Sequence, residues 1–487
     1  MHEFELKFQV PTDRLAGVEA ALRRGQTEST RLRARYFDTA DEVLARHGLV
    51  LRIRQEGGDW VQAAKGPGRG GFERLEDEVP SAGGDEVPDI ARHRWHPIGK
   101  LLREALGKGG GARLQAVFET DITRLKRVVE AGGSSIEIAL DRGRVRAGRR
   151  SQAIQEVEFE LKQGSPAALA ELAQRWMREH GLWLDPVSKS EQGRRLAAAD
   201  DAPQPVQAPT LDVEVESPAQ LLALILAAGL EQVLGNAREL AAGGGGDGHI
   251  HQLRIGLRRL RTALRELRGI AGLADVAPDI EPALRQLFQV LGQHRDRATL
   301  VPAVEQDLAR LGAPPLHDWQ PRLPDVGAAI RDADLQAAIL HLAALVQELH
   351  EAPQGKLKGT RKMAARRLQK LHKEVLHDGR RFAELPQEER HRERKRLKRL
   401  RYLAELVRPL FVGRAVDRYV AALKGLQDAL GEYQDAATAR ALFEKHAERD
   451  AKAWFAAGWL AAREDEIAAR CERACRETAK EAKPFWD

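Results

Sequence analysis

The sequence predicts an α+β protein, an N-terminal β-barrel with a charged interior and flanking helices followed by an all-α half. Three observations carry that expectation. Short segments in which charged and aliphatic residues strictly alternate recur between residues 3 and 162. From Pro218 onward the spacing becomes that of amphipathic helices, broken at Gly243–Gly246 and at Gly312–Pro324. A histidine–arginine motif occurs twice in this second half, 140 residues apart, which marks two homologous helical halves.

Composition sets the bounds. A chain of 487 residues with 43% hydrophobic and 31% charged residues has enough apolar surface for two or more folded domains and is not disordered. No apolar run approaches the ~20 residues that span a bilayer, and no signal peptide fits before a candidate site that begins at residue 3. The expected location is therefore cytoplasmic, with no membrane partner. The two cysteines, Cys471 and Cys475, are expected to be ordinary reduced thiols. The net charge of +6 conceals an asymmetry, because Lys356 to Arg401 holds 18 Lys/Arg against 6 Asp/Glu, a local balance of +12 that leaves −6 for the remainder. That stretch is composed to meet anions.

The elements follow in order. In the opening strand Glu3, Glu5 and Lys7 share one face, and Phe4, Leu6 and Phe8 the other. Two carboxylates followed by an ammonium suit a divalent metal carrying a phosphorylated substrate, although a half-solvated sheet face reads the same way. Asp13 to Arg24 has helical spacing. The alternation returns in Leu49–Arg54, Arg74–Glu78, Ile136–Asp141 and Glu156–Lys162. Five such strands with both signs on their polar sides describe a barrel with a wet lumen. Its acids would hold cations, and Arg52, Arg54, Lys65, Arg124, Lys126 and Lys189 would hold phosphate oxygens. The glycine-rich stretch Lys65 to Gly71 lacks the Gly-Lys-Ser/Thr of a phosphate loop and is expected to be a hairpin connection. His93 and His96 lack a third ligand at metal spacing and are expected at the surface. Gly107 to Gly111 is expected to be a flexible loop.

The strand Glu3-x-Glu5-x-Lys7, Tyr36-Phe37-Asp38-Thr39, Leu51-Arg52-Ile53-Arg54, Lys65-Gly66-Pro67, the Glu156/Glu158/Glu160 strand and Ser188-Lys189 resemble the CYTH domain of triphosphate tunnel metalloenzymes over roughly residues 1–200. The resemblance implies an eight-stranded antiparallel β tunnel with flanking helices, and hydrolysis or cyclisation of triphosphates with Mg²⁺ or Mn²⁺. It further implies Glu3, Glu5, Glu158 and Glu160 as metal ligands and the six cations named above as the triphosphate clamp. Glu5 and Lys7 are implied at the reacting centre, with Lys7 near the scissile phosphate, aligning water or stabilising charge. Glu156, Asp141 and Arg194 stand beside them as secondary members, and Glu76 and Glu78 serve either the lumen or structural salt bridges.

Residues 201–217, rich in proline and alanine, read as a linker to a helical domain at 218–483. On a helix His251, Arg254, Arg258 and Arg261 fall in a stripe about 80° wide, opposite Leu253, Leu257, Leu260 and Leu264. His391, Arg394, Lys398 and Arg401 repeat it, opposite Leu397, Leu400, Ala404 and Val407. Lys362, Arg366, Lys370 and Lys373 form a third stripe opposite Ala364, Leu368, Leu371 and Val375. Each motif is followed by Leu-Gly-x-x-x-Asp, ending at Asp296 and at Asp435. Solvated faces mix signs because neighbouring pairs relieve repulsion, so stripes of one sign call for an external anion. They carry no interleaved aromatics or amides for reading bases, which suits inorganic polyphosphate and no specific nucleic acid.

This half resembles a CHAD domain, which implies an all-α domain of two four-helix bundles and polyphosphate binding. The combined expectation is a metal-dependent inorganic triphosphatase at residues 1–200 tethered to a polyphosphate-binding module, on polyphosphate granules if its location follows its ligand. The alternatives are an adenylate cyclase or a thiamine or nucleoside triphosphatase, and a binding protein whose tunnel is idle.

Overall fold

The computed structural model describes residues 2–486 apart from 69–72, 82, 84–86, 108–109, 199–202, 271–272, 314–315, 317–322 and 353–354, with the backbone alone at 2–3, 73–74, 110 and 112. The strands are β1 His2–Gln9, β2 Glu28–Asp38, β3 Val50–Glu56, β4 Asp59–Pro67, β5 Glu73–Ser81, β6 Gln115–Ala131, β7 Ser134–Ala147, β8 Arg150–Gln163 and β9 Trp183–Leu184. The helices of the first 200 residues are α1 Leu15–Leu22, α2 Val43–Arg46, α3 Pro97–Leu106, α4 Pro166–His180 and α5 Lys189–Ala198. Twelve more follow, α6 Pro218–Ala241, α7 Asp247–Glu266, α8 Leu273–Arg295, α9 Val301–Arg310, α10 Val326–Ile330, α11 Ala333–Glu351, α12 Leu357–Gly379, α13 Gln387–Leu406, α14 Gly413–Ala422, α15 Lys424–Ala447, α16 Ala453–Ala462 and α17 Glu464–Glu481.

The strands form one antiparallel sheet in the order β5-β4-β3-β2-β6-β7-β8-β1-β9, and β1 also pairs with β5. The two ends of the eight-strand order thus meet through His2, Glu3 and Phe4. The ninth strand is an addition to the expected eight, two residues long and paired to the end of β1. Alternation decides which side chains face inward. Leu6, Phe8, Leu51, Ile53, Ile138, Val157 and Phe159 are wholly buried, each worth about 1.5–3 kcal/mol of apolar burial. Phe159 meets Phe8 and the Trp176 ring of α4 edge-on, at 5.6 and 5.7 Å between centroids. Their polar neighbours are left facing a common space.

His93 corrects the sequence reading. It is fully buried, 2.7 Å from Asp77 and 2.9 Å from Gln62. Gly99 makes the burial possible, because a Cβ there would lie 2.0 Å from the His93 carbonyl oxygen. The hairpin expected after Lys65 lies mostly outside the described residues.

Two compact units emerge, and they do not follow chain order. One contains residues 1–206, 230–245 and 330–351, and the other 207–229, 246–329 and 352–487. In the first unit α11 packs against α4. The linker, in neither helix nor strand from 203 to 215, is tied down at Val206, whose N–H donates to Asn236 at 3.1 Å and whose carbonyl accepts from it at 2.8 Å. Helix α6 also corrects the expectation that no segment is apolar enough to span a bilayer. By length and composition it is, and 61% of its most apolar stretch is buried within the protein. In the second unit, α9, α15 and α16 share a core that includes Val301, Leu308, Ala439, Phe443 and Leu460.

Candidate functional site

All eight strands of the barrel line a cavity of 1170 Å³. Glu5, Lys7, Arg52, Arg54, Lys65, Arg124, Lys126, Glu158, Glu160 and Lys189 all face it. Of the residues expected here, only the Glu3 side chain lies outside the described residues. The antiparallel register places acid beside base across the strands. Lys7 is opposite Glu158, Lys65 opposite Glu76, and Arg124, Asp141 and Glu156 stand in one row across β6, β7 and β8.

Each of the six cations expected to form a triphosphate clamp has a carboxylate within ion-pair reach. Arg52 lies 3.5 Å from Glu78, Arg54 3.2 Å from Glu78, Lys65 2.7 Å from Glu76, and Lys126 3.5 Å from Glu137. Arg124 grips Asp141 with two bonds of 2.7 Å and also reaches Glu158. Lys189 is 2.7 Å from Asp141 and 2.6 Å from Glu158, and it contacts Glu156. Glu76 and Glu78 therefore belong to the lumen and form its salt bridges at once. Arg194 turns instead to Glu191, at 2.9 Å.

These pairings set the protonation states. Burial alone would raise Glu158 and Asp141, but Lys189 and Arg124 hold Glu158 well below the usual carboxylate range and Asp141 below its ordinary value. Glu5 is different. Burial and the nearby Glu158 raise it to about 7, against the pull of Lys65, Lys189 and Lys7. Tyr36 is buried and yet pulled below its ordinary value by Arg52, to which it is hydrogen-bonded. Its ring stacks on Phe118 at 4.4 Å.

Among the described residues, one set of three carboxylates brings ligand atoms within 4.8 Å of one another, Asp141, Glu156 and Glu158. All-oxygen ligands at this spacing fit a hard divalent cation. The set shares Glu158 with the expected ligands. Glu160 pairs with Lys162 at 2.6 Å and sits opposite Glu5 across the β1–β8 ladder. Asp141 and Glu156 ranked as secondary in the sequence, because nothing in a single strand reveals that β7 and β8 align them.

In the second unit α7 and α13 pack together, which brings both copies of the motif to one place. Burial first, then Arg258, Arg394 and Arg295, push Lys398 down to about 6. Arg254 and Arg394 are each lowered to about 10, mainly by burial and by Arg258, and His251 is lowered too. The aspartates of the following motifs join the cluster. Asp435 lies 2.8 Å from Arg295 and 3.9 Å from Arg394, and Asp296 opens a π-helical turn beside them.

The sequence reading expected wholly unpartnered stripes, and the structure corrects it. Arg261 pairs with Glu281 at 2.7 Å and Arg401 with Glu405 at 2.9 Å. His391 bonds Gln434. Arg258 and Lys398, at the centre, have no ion pair among the described residues. An aromatic ring also lies within the cluster, since Phe288 of α8 underlies Arg254, Arg258 and Arg261 at 4.4, 5.0 and 5.6 Å. On α12 the third stripe, Lys362, Arg366, Lys370 and Lys373, is exposed, with Lys370 3.9 Å from Glu374.

Residues 1–193 match the model of the CYTH domain, and residues 224–444 that of the CHAD domain. The chain carries both domains. The CYTH region is the β-barrel with its charged cavity, and the CHAD region contains both copies of the histidine–arginine motif. Among similar proteins, an inorganic triphosphatase of Haemophilus influenzae is 32% identical over 167 residues, 34% of this chain and 45% of that protein. This chain therefore matches less than half the length of that relative. An uncharacterized protein of Mycobacterium tuberculosis is 28% identical over 512 residues, 96% of this chain and 94% of its own length. The crystal structure of the CHAD domain from the plant Ricinus communis is 22% identical, with 56% of this chain and 96% of that chain covered and a TM-score of 0.42.

Proposed function

We propose that the CYTH barrel hydrolyses inorganic triphosphate with Mg²⁺ or Mn²⁺, and that the CHAD helices α7, α12 and α13 hold inorganic polyphosphate. The observation that carries the first half is the pairing of the cavity's cations with its own acids. Every clamp cation is already paired with an acid, Lys189 with Asp141 at 2.7 Å among them. A bare anion would have to break these pairs and leave buried carboxylates without partners, which is costly. With a divalent ion present, Arg52, Arg54, Lys65, Arg124, Lys126 and Lys189 would be free to turn to phosphate oxygens, because their carboxylate partners would hold the ion.

Asp141, Glu156 and Glu158, with Glu5 and Glu160 near them, would hold the cation. A divalent ion supplies Lewis acidity and charge neutralisation at the phosphate oxygens. The chain's own groups do the rest. The clamp cations extend the substrate along the lumen and stabilise the charge that builds on the departing diphosphate as water adds to the terminal phosphorus. Lys7, 3.8 Å from Glu156, would stand near that phosphorus, where it would align the water or stabilise charge. The similarity to an inorganic triphosphatase supports this substrate class.

The polyphosphate reading rests on Arg258 and Lys398, central basic groups that have no ion pair among the described residues. Such a module would hold the enzyme on polyphosphate granules. The experiment is a panel of triphosphate, ATP and thiamine triphosphate, each with Mg²⁺ and with Mn²⁺, read as phosphate release. Triphosphate is expected to be turned over fastest. Faster turnover of a nucleotide or of thiamine triphosphate would replace this reading, and no release from any substrate would make the barrel a binding site.

A further inference from the structure

We propose that Arg238 and Gln336, both inside the CHAD region of the sequence, are positioning residues for the triphosphate cavity, acting by fixing the turn that delivers Lys189. The inference rests on the triphosphatase reading above and concerns only the compact unit that contains the barrel, residues 230–245 and residues 330–351.

Lys189 is the first residue of α5, and the turn before it also lines the cavity through Pro186 and Ser188. The turn is anchored at Asp185, which is 1% exposed. The Asp185 N–H donates to the carbonyl of Lys7 at 2.9 Å. Its carboxylate accepts from the Val187 N–H at 3.0 Å and from Gln9 at 2.8 Å. Among the described residues, the cation on this buried carboxylate is Arg238 of α6, whose Nε lies 3.0 Å away. The next residue of α6, Glu239, accepts from Arg195 of α5 at 2.6 Å. Consecutive residues of one helix thus hold the chain on both sides of Lys189. From α11, the Gln336 carbonyl accepts the N–H of Leu184 at 2.8 Å, and its amide donates to the Ile330 carbonyl at 2.8 Å. Gln336 is 2% exposed.

Removing Arg238 would leave Asp185 buried without this counter-charge, a state relieved by protonation of the carboxylate or by movement of the turn, and either one disturbs the bonds that Asp185 makes. Because Asp185 also bonds the Lys7 carbonyl, the movement would reach Lys7 and Lys189 together. Displacing a substrate-holding group by about 1 Å is enough to weaken turnover by one to two orders of magnitude.

The test uses the full chain with Arg238→Met, Arg238→Lys and Gln336→Leu. Triphosphate hydrolysis over a range of substrate concentrations, triphosphate affinity by calorimetry, polyphosphate affinity and thermal midpoint are measured on each. Arg238→Met is expected to raise KM and weaken triphosphate affinity roughly tenfold, to leave polyphosphate affinity unchanged, and to be largely rescued by Arg238→Lys. Gln336→Leu, the milder change should Arg238→Met not fold, is expected to act in the same direction. A wild-type KM in folded Arg238→Met or Gln336→Leu protein would overturn the proposal, as would a loss of activity that only tracks the loss of folded protein. Absence of both turnover and triphosphate binding in the wild type would sink the underlying reading instead.

Discussion

Glu5 in the barrel cavity and Lys398 in the helical cluster are both bent toward neutrality by burial. Glu5, raised to about 7 beside Glu158, is expected to be indispensable. Glu5→Ala should lower phosphate release by about a hundredfold or more while polyphosphate binding is retained; parallel loss of both would contradict separate sites. Lys398, pushed down to about 6, is largely neutral at pH 7.5 in the free protein. An anion bound beside it raises it toward the ordinary lysine value of 10.5, so binding takes up a proton. Polyphosphate affinity should therefore weaken as pH rises from about 6 through the bound-state value. Calorimetry in buffers of different ionisation heat should detect the proton, and Lys398→Met should abolish the uptake. Unchanged uptake in that variant would assign the proton elsewhere.

At the scale of elements, close packing gives the sharper tests. Gly193 of α5 lies so near Phe118 that a Cβ would fall 2.1 Å from the ring, and Phe118 stacks on Tyr36, the partner of Arg52. Gly193→Ala should cost about 1–3 kcal/mol by overpacking and disturb the clamp through that stack. Denaturant unfolding alongside triphosphate KM would check both, and a stable variant with an unchanged KM would refute the coupling. On α7, Arg258→Glu should weaken polyphosphate binding, flatten its salt dependence and spare triphosphate turnover. Arg399 makes a poorer probe, because it already pairs with Glu266 at 3.2 Å and reversing it would set two carboxylates together.

The strands carrying Glu5, Arg52, Glu158 and their neighbours were legible because period-two alternation writes the inward face into the sequence. The helical stripes were legible for the same reason at period 3.6. The two-residue β9 has too little length to show a period. The burial of His93, the row formed by Arg124, Asp141 and Glu156, and Phe288 beneath three arginines all depend on register or on packing between elements. No local pattern contains them.

Over the whole molecule, the order of the chain and the order of the packing differ. The sequence divides cleanly near residues 201–217, whereas residues 230–245 and 330–351 fold with the barrel. The composition shift reports which element type a segment forms, and it carries no information about which core that element joins. The account as a whole depends on a lumen whose cations are already paired with acids, and whose groups would exchange partners only if a divalent ion and triphosphate arrived together. The most direct measurement is triphosphate binding by calorimetry with and without Mg²⁺ or Mn²⁺. Affinity is expected to rise steeply, about a hundredfold or more, only when the ion is present, and this dependence should vanish in Glu158→Gln. Equally tight binding of triphosphate in metal-free buffer would contradict the exchange and the function built on it.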